Sequence, residues 1–202
     1  QNILDVAALQ PDYMGFIFYP ESPRYVGSGF RVPEEFPETI LRVGVFVSAT
    51  TSEIMTKVRQ HSLDLVQLHG YESVAQCREI SREGVRVIKA LTVGHPVDLL
   101  PGEWYEPYVD FLLLDARGVY FGGNGSTFNW SILKGWATRT PFFLAGGIGP
   151  GRIGDLQDLD LVYLHAVDVN SGVESGPGCK DVEKARQVFS ELERMGNLNS
   201  IR

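Results

Sequence analysis

Cysteine is scarce. Cys77 and Cys179 are the only two in 202 residues, far apart and without metal-ligand spacing. Neither a disulfide framework nor a zinc site is suggested, and a reducing cytosol is the expected compartment. Positive charge is also in short supply: eighteen Lys and Arg stand against twenty-five Asp and Glu, a net charge of −7. That balance argues against affinity built on covering many nucleic-acid phosphates. It does not exclude one small phosphate, because backbone N–H groups and a helix amino end can hold an anion without a lysine cluster. No apolar run approaches the roughly 18 to 20 residues that a membrane span requires, and no basic segment followed by an apolar one opens the chain. A soluble, untargeted protein is expected. The sequons at Asn124 and Asn129 would matter only in a secreted protein and are read as chance.

What is present is an ordinary globular composition, 44% hydrophobic and 21% charged, in a length that suits one well-buried core. Residues 1–202 are therefore taken as a single domain. Short apolar runs alternate with amphipathic segments along the chain. A short helix over 2–9 is closed by Pro11, and an aromatic-rich strand over 13–18 ends at Pro20. Strands are then expected over 43–47, 65–69, 85–91, 109–115, 141–145 and 162–168. Helices are expected over 51–61, 73–83, 130–137, 152–159 and 181–194. Continuous apolar strands separated by single helices call for a parallel sheet covered by helices, either an open doubly wound sheet or a closed barrel. Unbroken alternation, and polar or glycine-rich residues just after the strand ends, favour an α/β fold of the (β/α)8 TIM-barrel type. Seven strands are counted, and a chain that opens with a helix is short of the first.

Several residues at the strand ends carry chemistry. The turn at Ala145-Gly-Gly-Ile-Gly-Pro150 brings Gly146 and Gly147 to where N–H groups can approach an anion, although such a turn is often only a tight connection. Ser171 and Gly172, leaving the next strand, can open a second anion-binding turn beside the first, the recurrent phosphate site of barrels. Asp115 ends an apolar strand at the expected catalytic rim, where an acid can hold and deliver a proton; its bland alternative is to cap the following loop. Asp168 sits equivalently on the last strand and has the same alternative, fixing its turn. Arg24, in the loop after the first strand, would suit a carboxylate ligand, though loop arginines are more often solvated. His69 is read as a hydrogen-bonded rim histidine and Cys77 as a packed core thiol. Cys179 beside Lys180 is read as a thiol without a role.

The residues also form an ordered pattern. Gly15-Phe-Ile-Phe18, Ser22-Pro-Arg-Tyr-Val26, Val43-Gly-Val-Phe-Val47, Val66-Gln-Leu-His-Gly70, Val87-Ile-Lys-Ala90, Leu112-Leu-Leu-Asp115, Gly122-Gly-Asn-Gly-Ser-Thr-Phe128, Ala145-Gly-Gly147 and Asp168-Val-Asn-Ser-Gly-Val-Glu-Ser175 together resemble the phosphoribosylanthranilate isomerase family. The resemblance implies a cofactor-free Amadori rearrangement of N-(5-phosphoribosyl)anthranilate in tryptophan biosynthesis, by a cytoplasmic monomer or homodimer with no nucleic-acid or membrane partner. It implies Asp115 as general acid, Asp168 as the partner of the anthranilate amine, Arg24 as the binder of the anthranilate carboxylate, and Gly146, Gly147, Ser171 and Gly172 as the phosphate site. It further implies a general-base cysteine in a Lys-x-Cys-Gly strand, a motif that the 202 residues do not contain. Taken as the whole molecule, they are expected to bind ligand with little turnover, and a catalytically inactive phosphosugar-binding barrel is the alternative. Ser126 stands where relatives often carry a lysine.

Overall fold

The computed structural model describes residues 2–116, 129–156 and 162–195. The Gly-rich 122–128 motif and the Asn124 sequon lie outside the described residues, as do positions 157–159 of the helix expected there. Seven parallel strands run β1 (Tyr13–Ile17), β2 (Leu41–Phe46), β3 (Leu65–Leu68), β4 (Arg86–Val93), β5 (Phe111–Ala116), β6 (Phe142–Leu144) and β7 (Leu164–Val167). Their order in the sheet is the order of the chain. A doubly wound sheet reverses its strand order at a switch point, so this sequential order is that of a barrel wall. The wall curls until its two ends meet inside: the Tyr13 hydroxyl on β1 lies 2.8 Å from Nε2 of His165 on β7.

The middle strands β3 to β6 bury both faces, which is why they read as continuous apolar runs, whereas on β1 only Phe16 is buried. On β5, Leu113 points inward to Leu65, Ile88, Phe143 and Ala166. Its neighbours Leu112 and Leu114 point outward into an apolar cluster that also holds Leu99, Trp130, Leu133 and, from helix α5 (Val182–Arg194), Ala185, Val188 and Leu192. Burying each such side chain contributes about 1.5–3 kcal/mol. Around β2 and β3 the outer layer is α2 (Thr51–His61) and α3 (Val74–Arg82), which supply Ile54, Met55, Cys77 and Ile80. Local signals set the helix ends. Thr50 and Glu53 form a reciprocal capping box, Ser73 caps α3, and Asp181 accepts from the N–H groups of Glu183 and Lys184.

Three segments differ from the sequence reading. The described part of the helix expected over 152–159 is a 3-10 turn, Ile153–Leu156. The helix expected over 130–137 is one 3-10 turn, Trp130–Leu133, because Gly135 adopts a positive φ of 78° and ends it. Residues 174–180 form a small antiparallel hairpin, β8 (Glu174–Gly176) and β9 (Cys179–Lys180), turning at Gly-Pro-Gly.

His61, the last residue of α2, is buried between aromatic rings, 5.0 Å from Phe18 and 5.4 Å from Phe30. Neither ring nitrogen has a hydrogen-bond partner among the described residues. Burial, then the charges of Lys57 and Arg31, hold its pKa below the ordinary 6.5. The unfolded chain therefore takes up this proton first as pH falls through about 6.5, so the stability present above that pH is lost below it. His61→Phe is expected to stabilise the protein by about 1 kcal/mol, and by more at pH 5.5 than at pH 8. Urea denaturation at both values checks it, and equal gains at the two would refute the titration.

Candidate active site

Because side chains alternate along a strand, the inward column of β5 runs Phe111, Leu113, Asp115, and that of β3 runs Leu65, Gln67, His69 just past its end. The apolar lower members fill the interior, and the polar upper members arrive together at the carboxyl ends of the strands. There Nε2 of Gln67 lies 2.7 Å from Nδ1 of His69, and Nε2 of His69 lies 3.2 Å from Oδ2 of Asp115. With the Gln67 amide donating, Nδ1 accepts, and the ring proton resides on Nε2 and is donated to the carboxylate. The other carboxylate oxygen, Oδ1, accepts the N–H of Ala116 at 2.9 Å. All three side chains are buried, so each needs these partners.

This cluster forms one wall of a cavity of about 250 Å³. Asp115, Asp168 and Arg24 line it, and so do both glycine turns, at Gly146 and Gly147 and at Ser171 and Gly172. Every residue singled out from the sequence as a catalytic or binding candidate therefore faces one space. The two turns abut. A Cβ on Gly172 would collide with the carbonyl of Ile148, and one on Gly146, whose φ is +92°, would come within 2.8 Å of the Cβ of Ala116. None of the turn-to-turn backbone hydrogen bonds among the described residues uses the N–H of Gly146, Gly147, Ser171 or Gly172.

Asp168 follows β7, its N–H donating to the carbonyl of Leu144. Burial and then the nearby Asp115 carboxylate push its pKa up, against the opposing charges of Lys180 and His69. Arg24 is held by Glu174: its Nε lies 3.0 Å from both carboxylate oxygens and Nη2 lies 2.7 Å from Oε2. Lys180 joins them, donating from Nζ to Oε1 of Glu174 at 3.0 Å and to the carbonyl and side-chain oxygens of Asn170. Burial lowers the Lys180 pKa, against the pull of Glu174 and Asp168.

Glu174 and Lys180 are the site residues that sequence reasoning missed. Glu174 stood in the quoted Asp168–Ser175 run without a role, and Lys180 was noted only as a neighbour of Cys179. Neither cysteine lines the cavity. Cys77 is packed in the core, where burial pushes its thiol up to about 11, and Cys179 is exposed on β9. Among the described residues no group of three His, Cys, Asp or Glu converges as a metal would need, and no helix is long and apolar enough to cross a membrane.

Comparison with known proteins adds a family. The family model for N-(5'phosphoribosyl)anthranilate (PRA) isomerase matches residues 1–191. A Phocaeicola vulgatus protein named N-(5'-phosphoribosyl)anthranilate isomerase is 37% identical over 194 residues, covering 96% of this chain and 93% of its own. One of the same name from Paramagnetospirillum magneticum is 40% identical over 207 residues, covering 97% and 94%. Among solved structures, phosphoribosyl anthranilate isomerase from Thermotoga maritima superposes with a TM-score of 0.81 at 33% identity, over 95% of this chain and 92% of that one. Another, in complex with reduced 1-(o-carboxyphenylamino)-1-deoxyribulose 5-phosphate, gives 0.78 at 32% identity with the same coverage.

Gly172→Ala is expected to pry the two turns apart, at a cost of about 1–3 kcal/mol. Urea denaturation measures it; a wild-type midpoint would mean that the turns do not touch.

Proposed function

The chain belongs to the N-(5'-phosphoribosyl)anthranilate isomerase family and is an isomerase of tryptophan biosynthesis, and from that premise we propose how its cavity performs the reaction. The observation that carries the proposal is the convergence of Asp115, Asp168, Arg24 and the two glycine turns on one space. Besides its sugar hydroxyls and ring oxygen, the substrate has a phosphate, a secondary amine and an aromatic carboxylate. In our reading the paired turns take the phosphate through backbone N–H groups, with Gly146, Gly147, Ser171 and Gly172 making the close approach. Arg24 takes the carboxylate with its planar fork, and Asp168 faces the amine.

Asp115 then serves as the general acid. For this step Asp115 carries a proton, in place of the carboxylate form that accepts from His69: the proton passes to the furanose ring oxygen, the ring C–O bond breaks, and the amine lone pair forms the Schiff base. Loss of the proton at the sugar's second carbon gives an enolamine, which tautomerises to the ketone. No atom is gained or lost overall, and no external oxidant or reductant enters. The resemblance implies a thiolate as the base for the second step; no thiol lines the cavity among the described residues, so no residue here is given that role. We further read residues 1–202 as one domain that acts in the cytosol as a monomer or homodimer, without a cofactor.

Asp115→Asn keeps the shape and removes the proton donor. It is expected to lower kcat by about 10²–10⁴-fold while leaving product affinity within a few-fold of wild type, read from single-turnover fluorescence and equilibrium titration. Near-normal turnover would defeat the assignment. Arg24→Ala is expected to weaken binding of carboxylate-bearing ligands by about 1.5–3 kcal/mol, the scale of a hydrogen bond to a charged group. Calorimetry with the product measures this, and unchanged affinity would remove Arg24 from the site.

A further inference from the structure

We propose that Glu174 is a positioning residue: it fixes the direction in which Arg24 presents its fork, and so sets the site's selectivity for a carboxylate at that end of the ligand. The inference rests on Arg24 as the carboxylate binder.

Arg24 sits in a loop with no regular structure around it, and its side chain has four rotatable bonds to fix before it can meet a ligand. Glu174, 150 residues further along the chain, supplies the tie. Its side chain is only 5% exposed and that of Arg24 only 13%. The Glu174 carboxylate takes Nε and one N–H of Nη2 along the side of the guanidinium. A guanidinium carries five N–H donors. Those left by Glu174 are the two on Nη1 and the second on Nη2, at the end of the fork, where a planar carboxylate can accept two parallel hydrogen bonds.

Glu174 is in turn held from its far side. Lys180 donates to its Oε1 at 3.0 Å, and the N–H of Gly178, in the turn of the β8–β9 hairpin, donates to the same oxygen at 3.1 Å. Burial alone would raise the Glu174 pKa, but the hydrogen bonds from Arg24 and Lys180 outweigh it and lower it, so the group stays a carboxylate. The three protons of Lys180 have three acceptors, two on Asn170 and one on Glu174. Lys180 is thereby occupied, and the donors that the cluster leaves uncommitted are those at the end of the Arg24 fork, on a residue that lines the cavity. Two cations against one carboxylate leave a surplus positive charge for the ligand's own carboxylate to neutralise.

The test is a double-mutant cycle on Glu174→Gln and Arg24→Ala. Glu174→Gln keeps the side chain's size but puts an NH2 against one of two cations, releasing Arg24. It is expected to raise KM for phosphoribosylanthranilate about tenfold with kcat within about twofold, while the Kd for inorganic phosphate stays within about twofold. In the Arg24→Ala background the same substitution is expected to raise KM no further, because the group it positions is gone. Glu174→Asp, which keeps the charge, should recover part of the loss, and it takes the place of Gln in the cycle if that variant does not fold. Equal losses of substrate and phosphate affinity, or additive effects in the cycle, would overturn the proposal and leave Glu174 a structural strut. If Arg24→Ala alone leaves affinity unchanged, the reading of Arg24 as the carboxylate binder fails first. If Arg24→Ala weakens binding and Glu174→Gln does not, only the positioning role fails.

Discussion

An inward-pointing side chain in a curled parallel sheet has nowhere to go. It must pack on the columns beside it or, if polar, find its hydrogen-bond partners within the same small space. In this chain the lower inward positions are mostly apolar and close on one another, Tyr13 and His165 being bonded to each other, while the inward positions at the carboxyl ends of β3 and β5 are Gln67, His69 and Asp115, linked in series. The lower layer supplies stability and aims the upper layer. Had the register of β5 slipped by one residue, Leu114 would have faced the cavity and Asp115 the helices, a burial that an unpaired carboxylate cannot tolerate.

The cavity that results is electrically divided. Asp115 and Asp168 share one side, close enough that the charge of one discourages ionisation of the other, whereas Arg24 and Lys180 lie around Glu174 on another. The glycine turns contribute backbone dipoles in place of net charge, which is how a protein of net charge −7 can offer room for an anion. Proton-handling groups and anion-holding groups thus occupy different parts of one space, coupled through the charges of Asp168 and Lys180.

Much of this was legible in the sequence because the relevant information is local. Strands buried on both faces announce themselves as apolar runs, a capping Thr50 or Ser73 marks a helix start, and a residue that ends an apolar run, such as Asp115 or Asp168, is placed at the rim by counting. The 3-10 turn at Trp130–Leu133 was overestimated because Gly135 was tolerated inside a helical pattern when its backbone in fact ends the turn. The β8–β9 hairpin was missed because strands of three and two residues have no measurable period. Glu174 escaped for a different reason. Its partner Arg24 lies at the other end of the chain, and an acid among glycines carries no local mark of the arginine that folding will bring to it. The link from His69 to Asp115 is of the same kind, since it crosses over β4.

The two cysteines differ in a way that has a practical use. At pH 8 a thiol with a pKa of about 11, that of Cys77, is ionised in roughly one molecule in a thousand, and packing shields it from reagents besides. Cys179 is exposed and precedes Lys180, which lines the cavity. Of the two, a maleimide dye would therefore label Cys179, one residue along β9 from a side chain that lines the cavity.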